Sequence, residues 1–131
     1  MTLPEEIKSA LNTADEKLSA AKVLLKAEHF SDAASRACYC AFHCISAVLL
    51  SKHLTFSSHG QAIVAFNREF VKTGVFPKHF SRWLIKMQSD REAGDYRARS
   101  PIGEQIAIDD TKMAAEILSV CRQYLESQFP V

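Results

Sequence analysis

The segment from Ser31 to Leu50, SDAASRACYCAFHCISAVLL, constrains the fold more than any other part of the chain. It contains no glycine or proline, and most of its residues are Ala, Cys, Ile, Val, Leu or Phe. On a helical wheel, every polar side chain between positions 32 and 46 falls within one arc of about 100°. The remaining arc is entirely apolar, so this helix has to be surrounded by other elements on most of its circumference.

The polar arc of this helix, called the polar seam below, consists of Asp32, Ser35, Arg36, Tyr39, His43 and Ser46. A surface helix usually carries Lys and Glu on its polar side, whereas these side chains are short or rich in hydrogen-bonding groups and suit a groove. Arg36 and His43 lie two turns apart with Tyr39 between them. Together they suit a phosphate, through a bidentate Arg hydrogen bond, proton transfer by His and the Tyr hydroxyl. Alternatively, the seam faces solvent or a second subunit, and Asp32 pairs with Arg36.

Four glycines and four prolines divide the rest of the chain into helices, and no stretch alternates like a strand. Ser31 and Ser58 are the predicted N-caps of the second and third helices, and Gly74 follows the end of the third. We therefore predict an all-α fold, a single up-and-down bundle of four to five helices that forms one domain over residues 1–131. The predicted helices are Pro4–Ala27, Asp32–Lys52, 58–72, Pro77–Gly94 and Asp109–Gln128, with a loop, YRARSPIGEQIAI, before the last.

A second group of polar residues closes the fourth predicted helix, in SDREAGDYRAR. Arg91 and Asp95 are four residues apart and can pair, and Tyr96 follows. Asp95 lies where the helix dipole disfavours an anion, which indicates either a tertiary partner or a ligand. The alternative is a structural ion pair with Tyr96 packed beneath it. His59, at the start of the third helix, is interpreted as structural.

Composition excludes several classes of protein. With 16 basic and 15 acidic residues, the net charge is +1, so a contact with nucleic acid would need a local basic patch, and general DNA binding is not expected. The acidic start, MTLPEEIKSA, lacks the features of a signal peptide, and no run of 18 apolar residues is present, so we expect a cytoplasmic protein without a membrane span. The spacing of Cys38, Cys40, Cys44 and Cys121 predicts small buried hydrophobic residues and neither a metal site nor a cofactor.

The order of SRACYCAFHCISAVLL, SSHGQAIVAFNREFVKTGVFPK and REAGDYR resembles the short stand-alone proteins of the HEPN superfamily (higher eukaryotes and prokaryotes nucleotide-binding). The resemblance extends over nearly the whole chain, from AAKVLLKAEHFSDAASRACY onward. It implies a helical bundle, commonly a homodimer. It also implies a protein often encoded beside a minimal nucleotidyltransferase, with which it acts as a toxin–antitoxin pair.

The resemblance also implies candidate catalytic residues. Active HEPN toxins are metal-independent ribonucleases with an Arg-x(4–6)-His motif, and Arg36 and His43 have this spacing. In such a site His moves a proton and Arg stabilises charge on the phosphoryl oxygens. The family's motif usually lies late in the fold, yet the segment from Arg91 to Arg99 contains no His.

Three functions remain open from the sequence. The first is a non-catalytic component that binds a nucleotide, RNA or protein partner through Tyr39, Asp32, Arg91, Asp95 and Tyr96, in a two-protein system with a nucleotidyltransferase. The second is a ribonuclease that uses Arg36 and His43. The third is a structural dimerisation bundle, whose polar seam is covered by a second copy of the chain.

Overall fold

Five α-helices form the computed structural model, which describes residues 3–95 and 102–129. Their bounds are α1 Glu5–Lys26, α2 Phe30–Leu50, α3 His59–Phe66, α4 His79–Asp95 and α5 Glu104–Gln128. The described residues contain no strand, and the prediction of an all-α up-and-down bundle is confirmed.

Helix α2 lies at the centre of the bundle and packs against all four other helices. Between Ala33 and Leu49 its buried residues are the apolar ones, whereas Ser35, Arg36, Tyr39, His43 and Ser46 are half-buried or exposed. The predicted position of the polar seam is therefore confirmed. Helix α2 is also long and apolar enough to cross a membrane by length and composition alone. Inside the bundle, 67% of its most apolar window is buried, as expected of a central core helix.

The connection between α1 and α2 is shorter than predicted. Glu28 adopts a left-handed backbone conformation with a φ angle of 65°, and the N–H of His29 donates to the carbonyl of Leu24. The chain thereby reverses within three residues, and α2 begins at Phe30 with His29 as its N-cap. Ser31 lies in the first turn, so its prediction as the N-cap was wrong.

Helix α3 begins as the sequence predicts. The Ser58 hydroxyl accepts a hydrogen bond from the backbone N–H of Gln61, which makes Ser58 the N-cap and places His59 at the first helical position. After Phe66 the helix continues as a π-helical turn, Asn67–Val71, and Gly74 then takes a φ angle of 81° that favours glycine. This end of the bundle is held by an aromatic cluster of Phe66, Phe70, Phe76, Phe80 and Tyr124.

Helix α5 begins at Glu104, five residues before the predicted start at Asp109. The last part of the predicted loop is helical because Ala107, Asp110, Thr111 and Ala114 continue the buried stripe of α5 toward its N-terminus. The predicted start of α5 was wrong because an acidic pair, Asp109 and Asp110, resembles the first turn of a helix. Asp110 is instead fully buried.

The end of α4 lies close to the start of α2. A Cβ atom added to Gly94 would come within 3.3 Å of the Ser31 Cβ atom and 3.5 Å of a side-chain carbon of Ile102. Glycine at this position therefore lets α4 approach α2 closely. This approach brings the last two turns of α4 alongside the polar seam.

The four cysteines are free and buried, as predicted. Burial raises the pKa of the Cys121 thiol, and a hydrogen bond with Cys40 together with burial raises the pKa of Cys44. The raised pKa values keep the thiols of Cys44 and Cys121 protonated, and both side chains pack as small apolar groups in the core.

Candidate functional site

The middle of the polar seam meets side chains from α3 and α4. The Arg91 guanidinium of α4 lies over the Tyr39 ring, with its Cζ atom 5.5 Å from the ring centre, and it donates a long hydrogen bond of 3.4 Å to the Tyr39 hydroxyl. The His59 ring approaches the same tyrosine edge-on, with 6.1 Å between the ring centres. Tyr39 is thereby held between a cation and an imidazole at the surface of the bundle.

A pocket of about 200 Å³ opens beside Tyr39. Phe42 and Ala62 line it together with both histidines, His43 and His59. The remaining lining residues belong to the seam or to the segment that leads into α3, namely Tyr39, Ser46, Phe56, Ser57 and Ser58. The pocket therefore combines aromatic walls with hydroxyl and imidazole groups, a lining that suits a small polar ligand or one unit of a polymer.

His43 is neutral at physiological pH in this environment. Burial lowers its pKa below the ordinary value of 6.5, and the electrostatic influence of Lys17 on α1 and of the neighbouring His59 lowers it further. A neutral imidazole keeps a lone pair that can accept a proton or a hydrogen bond. Lys17 therefore brings a cation of α1 near His43, which no pattern in the sequence indicated.

His59 is fixed from two sides. Its ring stacks on Phe42 with 3.8 Å between the ring centres and 13° between the planes, and its Nδ1 atom lies 2.9 Å from the Gln88 side-chain oxygen. The Gln88 amide nitrogen in turn donates to Glu92 over 3.1 Å. Sequence reasoning interpreted His59 as structural and did not single out Gln88 or Glu92. The only available signal was the position of His59 next to a helix cap.

The other predicted site residues are distributed unevenly. Arg36 is exposed on the seam, and among the described residues no hydrogen-bonding or ion-pair partner is present for it. Asp32 does not pair with Arg36. It lies at the start of α2 beside a separate polar depression, lined also by Glu28 and Gly94. Asp95 ends α4, but its side chain and the whole of Tyr96 lie outside the described residues, so their predicted roles are not addressed.

The assembled site is a groove with three cationic side chains and two imidazoles, and we call it the Tyr39 groove. Its members are Lys17, Arg36, Tyr39, His43, His59 and Arg91. Within the described residues, no group of three or more His, Cys, Asp or Glu side chains is arranged to hold a metal ion. The chemistry that these side chains themselves offer is binding of an anion by the cations and proton acceptance by a neutral imidazole.

Comparison with known proteins identifies the family of this chain. The model of the HEPN domain matches residues 7–126, which is nearly the whole sequence. The chain belongs to the HEPN family. The resemblance predicted from the sequence is therefore confirmed.

Relatives of this HEPN protein occur in bacteria and archaea. A UPF0332 protein of Thermotoga maritima is 38% identical over 113 residues, which cover 86% of each chain. A Methanocaldococcus jannaschii protein, named "Putative toxin", is 36% identical over 101 residues, covering 77% of this chain and 75% of the relative. The crystal structure of TT1696 from Thermus thermophilus shares the fold, with a TM-score of 0.75 at 14% identity, and the match covers 89% of this chain and 96% of TT1696.

Proposed function

We propose that this HEPN protein is the toxin component of a two-protein toxin–antitoxin system and that its Tyr39 groove binds RNA. One observation carries the RNA part of the proposal. Arg91 lies over Tyr39 beside the pocket of His43 and His59, and Arg36 extends from the same seam. Such a groove offers guanidinium groups to phosphates and aromatic rings to bases, the combination by which proteins hold single-stranded nucleic acid.

The toxin part of the proposal rests on relatives. Two Methanocaldococcus jannaschii proteins that match this chain carry the name "Putative toxin". The HEPN resemblance supports a minimal nucleotidyltransferase as the protein partner, and a homodimer as the assembly. A cytoplasmic location accords with an RNA ligand.

The balance of charge favours a local and specific RNA contact. The whole chain carries a net charge of only +1, so long-range attraction to a polyanion is weak. Arg91 nevertheless lies over Tyr39, Arg36 is exposed one turn earlier on the same helix as Tyr39, and Lys17 acts on the nearby His43. Affinity should therefore depend on these few side chains, and each should contribute about one counterion to the salt dependence of binding.

Titration of a fluorescently labelled single-stranded RNA tests the binding proposal. We expect Arg36→Ala to weaken RNA binding roughly tenfold and to lower the salt slope by about 1, because one phosphate contact is lost. Arg82→Ala is the matched control, since Arg82 is also exposed on the surface and lies nine residues, or half a turn of the wheel, from Arg91 on α4. Equal affinities of the two variants, or no binding by the wild-type protein, would contradict the proposal.

Ribonuclease activity is the second candidate function, and the neutral imidazole of His43 favours it. A neutral imidazole that lines a pocket beside cations can take the proton of a ribose 2′-hydroxyl, while Arg36 stabilises the charge on the attacked phosphate. The same RNA mixtures, prepared in EDTA and separated on a denaturing gel, test this candidate. We expect wild-type protein to cut and His43→Ala to bind RNA without cutting. Equal cutting by both would exclude His43 as the proton acceptor.

A further inference from the structure

We infer that His59, oriented by Gln88, is the residue by which the Tyr39 groove recognises the ribose 2′-hydroxyl and so distinguishes RNA from DNA. This inference rests on the proposed RNA-binding function and adds a specificity-determining residue to it. Gln88 acts as a positioning residue, because it contacts His59 and does not line the pocket.

The orientation of the Gln88 amide follows from its neighbours. The Glu92 carboxylate can only accept hydrogen bonds, so the Gln88 –NH₂ group faces it, at 3.1 Å. The Gln88 oxygen is therefore directed toward His59 and accepts from Nδ1 over 2.9 Å. The Cys38 thiol lies 3.9 Å from the same oxygen and also donates to it. Two neighbours, Glu92 and Cys38, thus agree that the oxygen end of the amide faces the histidine.

The amide orientation determines the tautomer of His59. Because Gln88 offers an acceptor, Nδ1 carries the hydrogen, and in the neutral imidazole Nε2 is left with a lone pair. Stacking on Phe42 fixes the plane of the ring. Among the described residues Nε2 has no hydrogen-bond partner, although the ring lines the pocket. The Nε2 atom of His59 is therefore an oriented hydrogen-bond acceptor that none of the described residues occupies.

An acceptor has a specific use in this groove. The phosphate groups of a nucleic acid only accept hydrogen bonds, and the side chains of Lys17, Arg36 and Arg91 only donate them. The 2′-hydroxyl is a donor that RNA has and DNA lacks, and it is the group by which proteins distinguish the two. The nitrogen of His59 supplies the complementary acceptor beside the cations, where a bound ribose would lie next to its phosphate.

A comparison of the affinities for RNA and for DNA tests the inference. The probes are a labelled single-stranded RNA and the 2′-deoxy oligonucleotide of the same base sequence, with deoxyuridine for uridine, titrated in EDTA at 4 °C with RNA integrity checked on a gel. His59→Phe keeps the stack on Phe42 and removes both ring nitrogens. Gln88→Met removes the acceptor that holds the hydrogen on Nδ1 of His59, so that the tautomer is no longer determined. His79→Phe is the matched control, because His79 lies at the far end of α4 and pairs with Glu116.

We expect His59→Phe to weaken RNA binding about tenfold and DNA binding less than twofold, as for the loss of one hydrogen bond to the hydroxyl. Gln88→Met should lower the RNA preference in the same direction, and His79→Phe should leave it unchanged. A purely structural role for His59 would reduce both affinities equally and overturn the inference. Equal binding of RNA and DNA by the wild-type protein would overturn it as well, while leaving RNA binding intact. Binding of neither probe would instead overturn the proposed function.

Discussion

At the scale of single residues, the buried carboxyl group of Asp110 affects the stability of the bundle. One of its carboxylate oxygens accepts a hydrogen bond from the Lys86 ammonium at 2.9 Å, and Lys86 also donates to Asp90 at 2.7 Å. The other Asp110 oxygen, Oδ2, is buried without a hydrogen-bond partner. Burial and the neighbouring Asp90 raise the pKa of Asp110 to about 7, and Lys86 opposes this rise only in part. A proton on Asp110 therefore removes a buried charge that Lys86 compensates incompletely.

The raised pKa predicts how stability changes with pH. Because the folded pKa is above the unfolded value, Asp110 contributes stability at low pH that is lost as the pH rises through about 7. We expect this residue to lower the free energy of unfolding by about 2–3 kcal/mol between pH 5 and pH 8. Asp110→Asn, which resembles the protonated acid, should remove this loss and unfold at a higher temperature than the wild-type protein at pH 8.

Thermal unfolding of both proteins at pH 5 and pH 8 measures the difference. His43 acts in the opposite sense, since its lowered pKa costs stability as the pH falls, but it is present in both proteins and cancels. Asp109→Asn is the control, because Asp109 is only half-buried and accepts from Gln105 within α5. If the unfolding temperature of Asp110→Asn changed between pH 5 and pH 8 as much as that of the wild type, Asp110 would be ionised over this whole range.

At the scale of the helices, the start of α3 determines where His59 lies. The Ser58 hydroxyl accepts from the Gln61 N–H at 3.2 Å, and His59 follows immediately. We expect Ser58→Ala to lower the free energy of unfolding by about 1 kcal/mol, the usual contribution of an N-cap. Ser57→Ala should change it far less, since the Ser57 hydroxyl makes only a 3.5 Å contact with the Gln61 side chain. Chemical denaturation of both variants measures these changes, and equal losses would contradict the assignment of the cap.

The helices also show what could be predicted from the sequence. The centre of α2 was predictable because its apolar and polar residues follow the helical period over about four turns, from Asp32 to Ser46, so burial and exposure follow from the wheel. The early starts of α2 and α5 were not. The first depends on Glu28 in a left-handed conformation that is unusual for a residue other than glycine, and the second on an acid, Asp110, buried among apolar residues.

At the scale of the whole molecule, the Tyr39 groove is formed by elements that are distant in the sequence. Arg36, Tyr39 and His43 share one helix, so periodicity alone places them together. His59 and Gln88 are separated by 29 residues and meet only because α3 and α4 both pack on α2. A single sequence carries no signal for such a contact. The sequence pattern therefore singled out Arg36, Tyr39, His43 and Arg91, whereas the packing of the helices added Lys17 and His59 to the groove.

The most direct test of the RNA-binding groove is to map where RNA contacts the protein. A chain of 14.6 kDa is well suited to NMR, and we would follow backbone and aromatic resonances during titration with a short single-stranded RNA in EDTA. We expect the largest shifts at Arg36, Tyr39, His43, His59 and Arg91. Shifts confined to another surface, such as the exposed side of α3 around Val64, or no shifts at all, would contradict it.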